Sequence, residues 1–414
     1  MPVDLSIAIV SYNVRDQLAE CLSSVEESGR PLRQEIIVVD NASHDGSAEM
    51  VRERFPQATL IRNSENVGFA RACNQALRVS QGRYLLLLNP DTVVVGDCLP
   101  RMAEFIDRGP DCGAATCRVW LDREQKWVLS NFEPCGLWWQ VLVYTGWIGR
   151  ALTPRSILAR YWKRRWGVWQ SQAAGEVESI QGNFCMVRRS ALADVGLLDE
   201  RFFMYFEDAD WSRRLLRAGW KLCLNPAAGV IHHTGQSSKG RGDVLGAAVH
   251  ASLGHYLRKS FGWTGTATFR ILRVADLVVG RVLRRVRQGG GNPPGPVPPG
   301  VTFDLQRCPK CLSWPAVPGA TRYLVEVSLH PLFLGGAARF VSGTEVELPQ
   351  EEFRKPGFQR AYWRVVPFCG DEPMASWIQA RQDGPRLSLK RGISSHRGTG
   401  TSRDRCPALP QERG

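Results

Sequence analysis

No stretch of this 414-residue chain reaches the roughly 18–20 uninterrupted apolar residues of a membrane span. The opening MPVDLSIAIVSYN has no basic n-region, and its apolar run is too short for a signal peptide. The expectation is a cytoplasmic chain whose twelve cysteines, which follow no regular framework, are reduced thiols. The cysteines never stand at metal-site spacing from the histidines. Cys308-Pro309-Lys310-Cys311 has no second pair to complete a zinc ribbon and reads as a turn between strands. The basic segments carry no recognisable reader motif, which sets nucleic acid aside as a partner.

What is present is a sizeable apolar content. Hydrophobic residues make up 43% of the chain, enough for a large core, and the length suits two or three domains at roughly 150 residues each. The net charge of +13 is concentrated. Residues 239–287 hold ten basic and two acidic residues, and residues 381–414 hold eight and three, so the remainder balances to neutrality. Two basic appendages on a neutral body suggest an anionic surface or phosphate-bearing partner, or for the tail simple solubilisation.

Residues 5–10 (LSIAIV), 35–40 (EIIVVD), 58–62 (ATLIR) and 83–89 (RYLLLLN) are apolar runs that predict strands. Helical patterns fall between them, over 15–28, 45–54 and 70–79. This alternation implies an α/β domain with a parallel sheet covered on both faces. Ligands in such sheets bind beyond the carboxyl ends of the strands. Those ends read Ser11-Tyr12-Asn13, Asp40-Asn41-Ala42-Ser43, Asn63 to Gly68 and Asn89-Pro90-Asp91. They are polar and acidic, whereas a structural connection needs only turn residues.

Residues 120–175 interrupt the pattern with eight tryptophans between Trp120 and Trp169 and six basic residues between Arg150 and Arg165. An acceptor-binding or membrane-interface insertion and a tryptophan-rich core with a solvated basic edge both fit. Residues 266–287 predict an amphipathic helix, with Ile271, Val274, Ala275, Val278 and Val282 at helical spacing and arginines mostly opposite. It suits anionic lipid, but packing of its apolar face on the preceding domain is the expectation. GGGNPPGPVPPG (289–300) is a linker. Beyond it the period changes to two, and short strands over 301–380 predict a small β-sandwich. Residues 381–414 are expected to be disordered.

Four segments carry chemistry. In VVDNASHDGS (38–47), Asp40 closes a strand and can accept the imide hydrogen of a uracil or thymine ring; Asn41, Ser43 and Asp45 can equally be turn and cap residues. In NVGFARACNQA (66–76), Asn66 and Gly68 lead into a helix whose free N–H groups, with Arg71, suit a phosphate or a sugar. In LLLLNPDTVV (85–94), Asp91 follows a buried strand and can ligate Mg²⁺ or Mn²⁺ bridging a diphosphate. The segment 182–233 crowds Asp199, Glu200, Glu207, Asp208 and Asp210 among Phe and Tyr. Acids at a helix start favour the dipole. An aromatic-walled acidic pair is also how a general base is made, because burial and a like charge both raise its pKa. His232, after the strand GVI, is a candidate second metal ligand or a structural histidine.

Taken in order, SIAIVSYN, VVDNAS, NVGFARACN, LLLLNPDT and GLLDERFFMYFEDADWSRRLLRAGW…VIHH resemble the motifs of family-2 glycosyltransferases over residues 4–260. The branch they resemble is that of bacterial rhamnosyltransferase-like enzymes of cell-wall, O-antigen and exopolysaccharide assembly. The resemblance implies a GT-A nucleotide-sugar fold over 1–236, followed by a basic helical extension over 237–288. It implies an inverting transfer from a dTDP- or UDP-sugar, with rhamnose leading, to a saccharide or lipid-linked saccharide. Asp40 matches the base-binding acid, Asp91 the metal-binding acid, Asp208 the catalytic base with Glu207 beside it, and His232 a histidine completing the metal site. Ser11, Asn13, Asn41, Asn66, Gly68, Arg71 and Asn89 are the accompanying donor-side residues. The family's Asp-x-Asp element stands here as Asn89-Pro90-Asp91, leaving one carboxylate for the metal. The C-terminal pattern resembles a fibronectin type III-like module through Leu312-Ser313-Trp314-Pro315, Gly319 to Tyr323 and Tyr362-Trp363-Arg364-Val365.

Two other functions fit the sequence less well. A nucleotidyltransferase would carry a glycine-rich basic loop at the N-terminus, which SIAIVSYN lacks. A non-catalytic glycan-binding scaffold on a decayed transferase fold would not be expected to keep Asp91, Glu207, Asp208 and His232. Peripheral contact with the inner face of the cell membrane is the expected setting if the acceptor is lipid-linked.

Overall fold

The computed structural model describes residues 3–130, 136–137, 155–233, 242–288, 301–304, 310–328, 336–353, 360–374, 376–379 and 388–391. The chain divides into two compact units, Met1–Pro294 and Gly295–Gly414. The division falls inside the Gly/Pro-rich segment, whose residues 289–300 lie outside the described residues.

In the first unit, β1 (Leu5–Ser11) runs between β2 (Gln34–Asp40) and β4 (Tyr84–Leu88), parallel to both, and β3 (Thr59–Arg62) extends the sheet beyond β2. The chain therefore moves outward from β1 to β3 and returns to the other side of β1. This reversal of strand order opens a crevice at the carboxyl ends of β1 and β4. Past β4 the sheet is not uniformly parallel as expected. β9 (Phe184–Arg188) lies antiparallel between β4 and β6 (Cys112–Trp120), and β10 (Lys221–His232) joins β6 in parallel. β9 follows the long 120–175 insertion.

Period-two alternation distributes the apolar runs to two cores. Leu5, Ile7, Ile9, Leu86 and Leu88 face one core with α1 (Arg15–Ser28), α2 (Ser47–Arg54) and α4 (Cys98–Arg108). Ala8, Val10, Leu85 and Leu87 face the other. That second core is covered by α3 (Phe69–Val79), by the helices Arg189–Val195 and Glu207–Arg217, and by the start of the helix Gly242–Gln288. Each fully buried Leu or Ile contributes about 1.5–3 kcal/mol, so the two faces together pin the strand ends that carry the crevice.

Among the described residues of the insertion, Trp127, Trp166 and Trp169 are buried, and the buried Arg165 guanidinium lies 4.2 Å from the Trp169 ring centroid. These tryptophans are core, as one of the two readings expected. Trp138, Trp139, Trp147 and Arg150 lie outside the described residues.

The helix Gly242–Gln288 is broken at Gly262, where φ is 63° and ψ −142°. Its first part packs Leu253, Tyr256 and Leu257 into the second core. The segment 266–287 departs from expectation. Ile271, Val274 and Val278 are not packed but exposed. The reason is that the break folds the second part back, so that a different face, Gly265 and Phe269, meets Leu257 and Gly254.

The second unit is all-β. β13 (Arg322–Ser328) pairs antiparallel with β14 (Ala337–Val341) and β16 (Arg360–Cys369), and β12 (Cys311–Ser313) pairs with β15 (Glu345–Glu347). Trp314 meets Tyr323 edge-on at 5.5 Å, and the Tyr323 hydroxyl accepts the Val317 amide at 2.8 Å. Two expectations are corrected here. Cys369 is disulfide-bonded, to a partner outside the described residues, whereas Cys311 is free and exposed; Cys308 and Pro309 are also outside. Within the segment expected to be disordered, Ser388–Arg391 forms a strand paired with Ser376–Gln379. The run Leu387-Ser388-Leu389-Lys390 alternates apolar and polar residues with the period of a strand. The remainder of 381–414 lies outside the described residues.

Candidate active site

The crevice begins at the ends of β1 and β2, where Ser11 and Asp40 stand opposite each other in register. Both are buried. Asp40 accepts the Ser43 amide through Oδ2 at 3.2 Å, which leaves its Oδ1 and the Ser11 hydroxyl without a hydrogen-bond partner. Buried polar atoms are rarely left unsatisfied, because each costs about 1–3 kcal/mol. Two together at a strand end suit a ligand that brings its own donors and acceptors.

The loops around this point are stitched by amides. Asn41 Nδ2 donates to Asn66 Oδ1 at 2.9 Å, and Asn41 Oδ1 accepts from Asn63 Nδ2 and from the Val67 amide, each at 3.1 Å. Asn63 and Gln75 exchange two further hydrogen bonds. Asn13, at φ 53°, accepts the His44 amide through Oδ1 at 2.8 Å. Asn13, Asn41 and Asn66 therefore hold loops in place. Arg71 is exposed and reaches Glu200 at 3.3 Å. Gly68 sits at φ 89°, and a Cβ there would lie 2.7 Å from the Phe203 carbonyl oxygen. That contact brings the 66–68 loop against the segment 199–206, sealed by the Phe69 amide donating to the Phe203 carbonyl at 2.6 Å.

At the end of β4, His232 Nε2 lies 3.1 Å from Asp91 Oδ1 and 3.4 Å from Asn89 Nδ2. β10 brings the histidine there by pairing antiparallel with β5 (Thr92–Val94), and the His233 amide donates to the Asp91 carbonyl at 2.9 Å. Two donors at adjacent corners of an octahedron with bonds of about 2.1 Å lie about 3.0 Å apart, so Asp91 and His232 fit neighbouring positions on a small divalent cation. No group of three or more His, Cys, Asp or Glu assembles among the described residues, so any further ligands would come from water and a diphosphate.

The acidic cluster resolves into two kinds. Asp199 is met by Arg201 at 2.7 Å, Lys259 at 2.8 Å and His255 at 3.2 Å, and these, Arg201 foremost, hold its carboxyl far below the usual range. Glu200 takes Arg78 and Arg71, and hydrogen bonds from Asn74 and then Arg78 lower its pKa. Asp210 takes Arg214 at 2.9 Å and Lys259 at 2.8 Å. Glu207 and Asp208 alone of the five have no cationic partner among the described residues. They open α7 (Glu207–Arg217), counting α5 as Arg155–Gln170 and α6 as Arg189–Val195.

Glu207 is 5% exposed, with Oε2 lacking a hydrogen-bond partner. Burial, and then the neighbouring Asp208, push its carboxyl well above the usual range. Asp208 is half-buried and is also raised by burial, while the amides of Ala209 at 2.7 Å and Gly182 at 3.2 Å favour its charged form. The helix dipole would favour both carboxylates, yet removal from water outweighs it. Burial and the like charge push Glu207 well up, whereas two backbone amides oppose the rise at Asp208. Just before them Tyr205 and Phe206 both adopt the left-handed conformation, at φ 68° and 70°. For non-glycine residues that costs about 1–3 kcal/mol each, and such strain collects at functional sites.

Sequence reasoning missed three contributors. Asn183 joins the two halves of the site: its carbonyl accepts the Asn89 amide at 3.2 Å, its neighbour Gly182 donates to Asp208, and its own Oδ1 is buried without a partner. Its position beside Gly182, just ahead of an apolar strand, was the signal. The turn at Tyr205–Phe206 has no sequence signature. The brace of Ser252, His255 and Lys259 on residues 199–210 lies about fifty residues away in sequence.

Residues 6–196 match the family described as glycosyl transferase family 2. The chain is 27% identical over 264 residues to an N-acetylglucosaminyl-diphospho-decaprenol L-rhamnosyltransferase of Mycobacterium tuberculosis, covering 59% of this chain and 81% of that one. It is 26% identical over 222 residues to a poly-β-1,6-N-acetyl-D-glucosamine synthase of Staphylococcus epidermidis, covering 53% of this chain but 46% of the synthase. Among solved structures, a mannosyltransferase from Pyrobaculum calidifontis in complex with GDP-Man and Mn²⁺ shares 17% identity. Its TM-score is 0.44, with 70% of this chain and 80% of that one covered.

Proposed function

We propose, from the premise that this chain is a family-2 glycosyltransferase with a GT-A fold, that it transfers a sugar with inversion from a nucleoside-diphosphate sugar to a hydroxyl of a saccharide acceptor. The observation that carries the proposal is the Glu207–Asp208 pair, the one part of the acidic cluster without a cationic partner among the described residues. In this reading Asp208 takes the proton of the acceptor hydroxyl as that oxygen bonds to the anomeric carbon. The bond from that carbon to the diphosphate oxygen breaks in the same displacement, and the nucleoside diphosphate leaves with the electron pair. Glu207 stays protonated behind Asp208 and prevents a second charge from forming there.

Asp40 Oδ1 and the Ser11 hydroxyl receive the base end of the donor. Gly68, Arg71 and Asn89 lie along its phosphate and sugar, with Asn13, Asn41 and Asn66 fixing the loops. Asp91 and His232 would hold Mg²⁺ or Mn²⁺, which neutralises charge on the leaving diphosphate. Rhamnose as the leading sugar and a lipid-linked saccharide acceptor take their support from the likeness to the mycobacterial rhamnosyltransferase; a dTDP- or UDP-sugar donor and a place in cell-wall assembly rest on the family resemblance of the motifs. Contact with the inner membrane face would bring the enzyme to such an acceptor.

A panel of nucleotide-sugars with Mg²⁺ or Mn²⁺, read by released nucleoside diphosphate, tests the proposal. Release from one donor, abolished in Asp208→Asn while donor binding persists, is the expected result. Failure of every donor to bind would overturn it in favour of a non-catalytic scaffold.

A further inference from the structure

The helix Gly242–Gln288, α8 in chain order, has two parts with different roles. Up to Gly262 it braces the catalytic segment: Ser252 Oγ donates to the Met204 carbonyl at 2.8 Å, and Lys259 meets Asp199 and Asp210. At Gly262 the chain turns back on itself. Gly265 then approaches the Leu257 carbonyl so closely that a Cβ would lie 2.4 Å from it, and Phe269 lies against Gly254. These contacts fix which face of the returning part points inward.

At 100° per residue, the direction opposite Gly265 and Phe269 is shared by Trp263, Ile271, Val274 and Val278. All four are open to solvent, at 80%, 66%, 60% and 51% exposure. Soluble surfaces tolerate isolated apolar side chains, but four on one helix face form a stripe that needs an occupant. Arg270 and Arg273, both exposed, flank the stripe on one side. The wider segment 239–287 carries ten basic and two acidic residues. Apolar side chains beside arginines, with a tryptophan at one end, match the water–lipid boundary of a membrane bearing negative headgroups. No helix among the described residues is long and apolar enough to cross a bilayer, so the contact would be peripheral.

The geometry points to the face formed by Trp263, Ile271, Val274 and Val278, flanked by Arg270 and Arg273, as a docking surface for an anionic lipid bilayer. The same helix braces the segment that carries Glu207 and Asp208, so docking would hold the active site at a fixed height above the lipid. The inference is independent of the transfer reaction, since vesicle binding and donor turnover can each fail with the other intact.

The test is flotation of the full chain with vesicles of phosphatidylcholine alone or mixed with phosphatidylglycerol. Binding to the mixed vesicles only, weakened by salt, is expected. Replacing Arg270 and Arg273 by Gln should weaken it about 25-fold, at about fivefold per arginine. The triple change Ile271→Ser, Val274→Ser, Val278→Ser should weaken it more than about tenfold. Because these side chains are exposed, thermal melts of both variants should match the wild type. Absence of binding to the mixed vesicles, or full binding by the serine variant, overturns the inference. So does a serine variant that binds normally but sediments as a monomer where the wild type is a dimer, which would make the face a contact between two copies.

Discussion

The backbone amide of Gly182 donates to the Asp208 carboxylate at 3.2 Å, across 26 residues of chain. This bond holds the charged form of one acid while its neighbour Glu207, buried and without such help at Oε2, is driven towards the neutral form. Two adjacent acids thereby acquire different tasks from their surroundings, and their titration is coupled.

A pH dependence follows. In the proposed reaction Asp208 acts as base only when ionised, and burial raises its pKa, so kcat/KM should fall as pH drops through a value above that of an ordinary aspartate. Because Glu207 is driven towards its neutral form, the neutral amide of Glu207→Gln should leave that limb in place. The stability effect has the opposite origin. The Glu207 pKa is raised on folding, so its contribution is complete below about pH 4.3, the unfolded value, and is lost as pH rises through the folded value. Glu207→Gln should therefore gain a few degrees in Tm over the wild type above about pH 5, where the buried wild-type acid is penalised. A kcat/KM limb displaced by Glu207→Gln, or a Tm unchanged by it, would refute this ordering of the pair.

The contact between Gly68 and Phe203 can be tested by adding one methyl group. Gly68→Ala forces a side chain into φ 89° and places Cβ 2.7 Å from a backbone oxygen that cannot rotate away. A loss of about 2–3 kcal/mol is expected, from backbone strain and the displaced loop. Because the loop lies against the segment preceding Glu207, donor turnover should fall more than the melting temperature alone explains. An alanine variant with wild-type turnover would show that the 66–68 loop does not set the site.

The Asp91–His232 pair predicts how the enzyme should respond to metal removal. Chelation should stop turnover, with Mg²⁺ or Mn²⁺ restoring it. Asp91→Asn should raise the metal concentration needed for half-maximal activity by more than about tenfold, a loss that even an outer partner of a metal site can cause. Full activity in excess chelator would assign Asp91 and His232 a purely structural hydrogen bond.

Much of the crevice was legible because its parts are local. LSIAIV, EIIVVD and RYLLLLN are continuous apolar runs, and the residues that end them, Ser11, Asp40 and Asn89, fall at the crevice whatever the rest of the chain does. The meaning of each acid was not legible. Asp199 and Asp210 read like Glu207 and Asp208 in sequence, and what separates them is cationic partners that spacing does not reveal: Arg201 and Arg214 nearby, and Lys259 from the distant helix, which meets both. The fate of residues 266–287 was missed for a similar reason. Helical spacing shows that an apolar stripe exists, but the break at Gly262 decides which stripe turns inward.

The asparagine and glutamine stitch at Asn41, Asn63, Asn66 and Gln75 contains no ionisable group. Neither acid nor salt can loosen it by protonation or screening, whereas the opposite rim of the crevice depends on both. The two rims should thus respond unequally to the medium. In mild acid the loops joined by these amides would keep their arrangement while the carboxylates across the crevice lost their charge, and the change would reverse once the pH recovered.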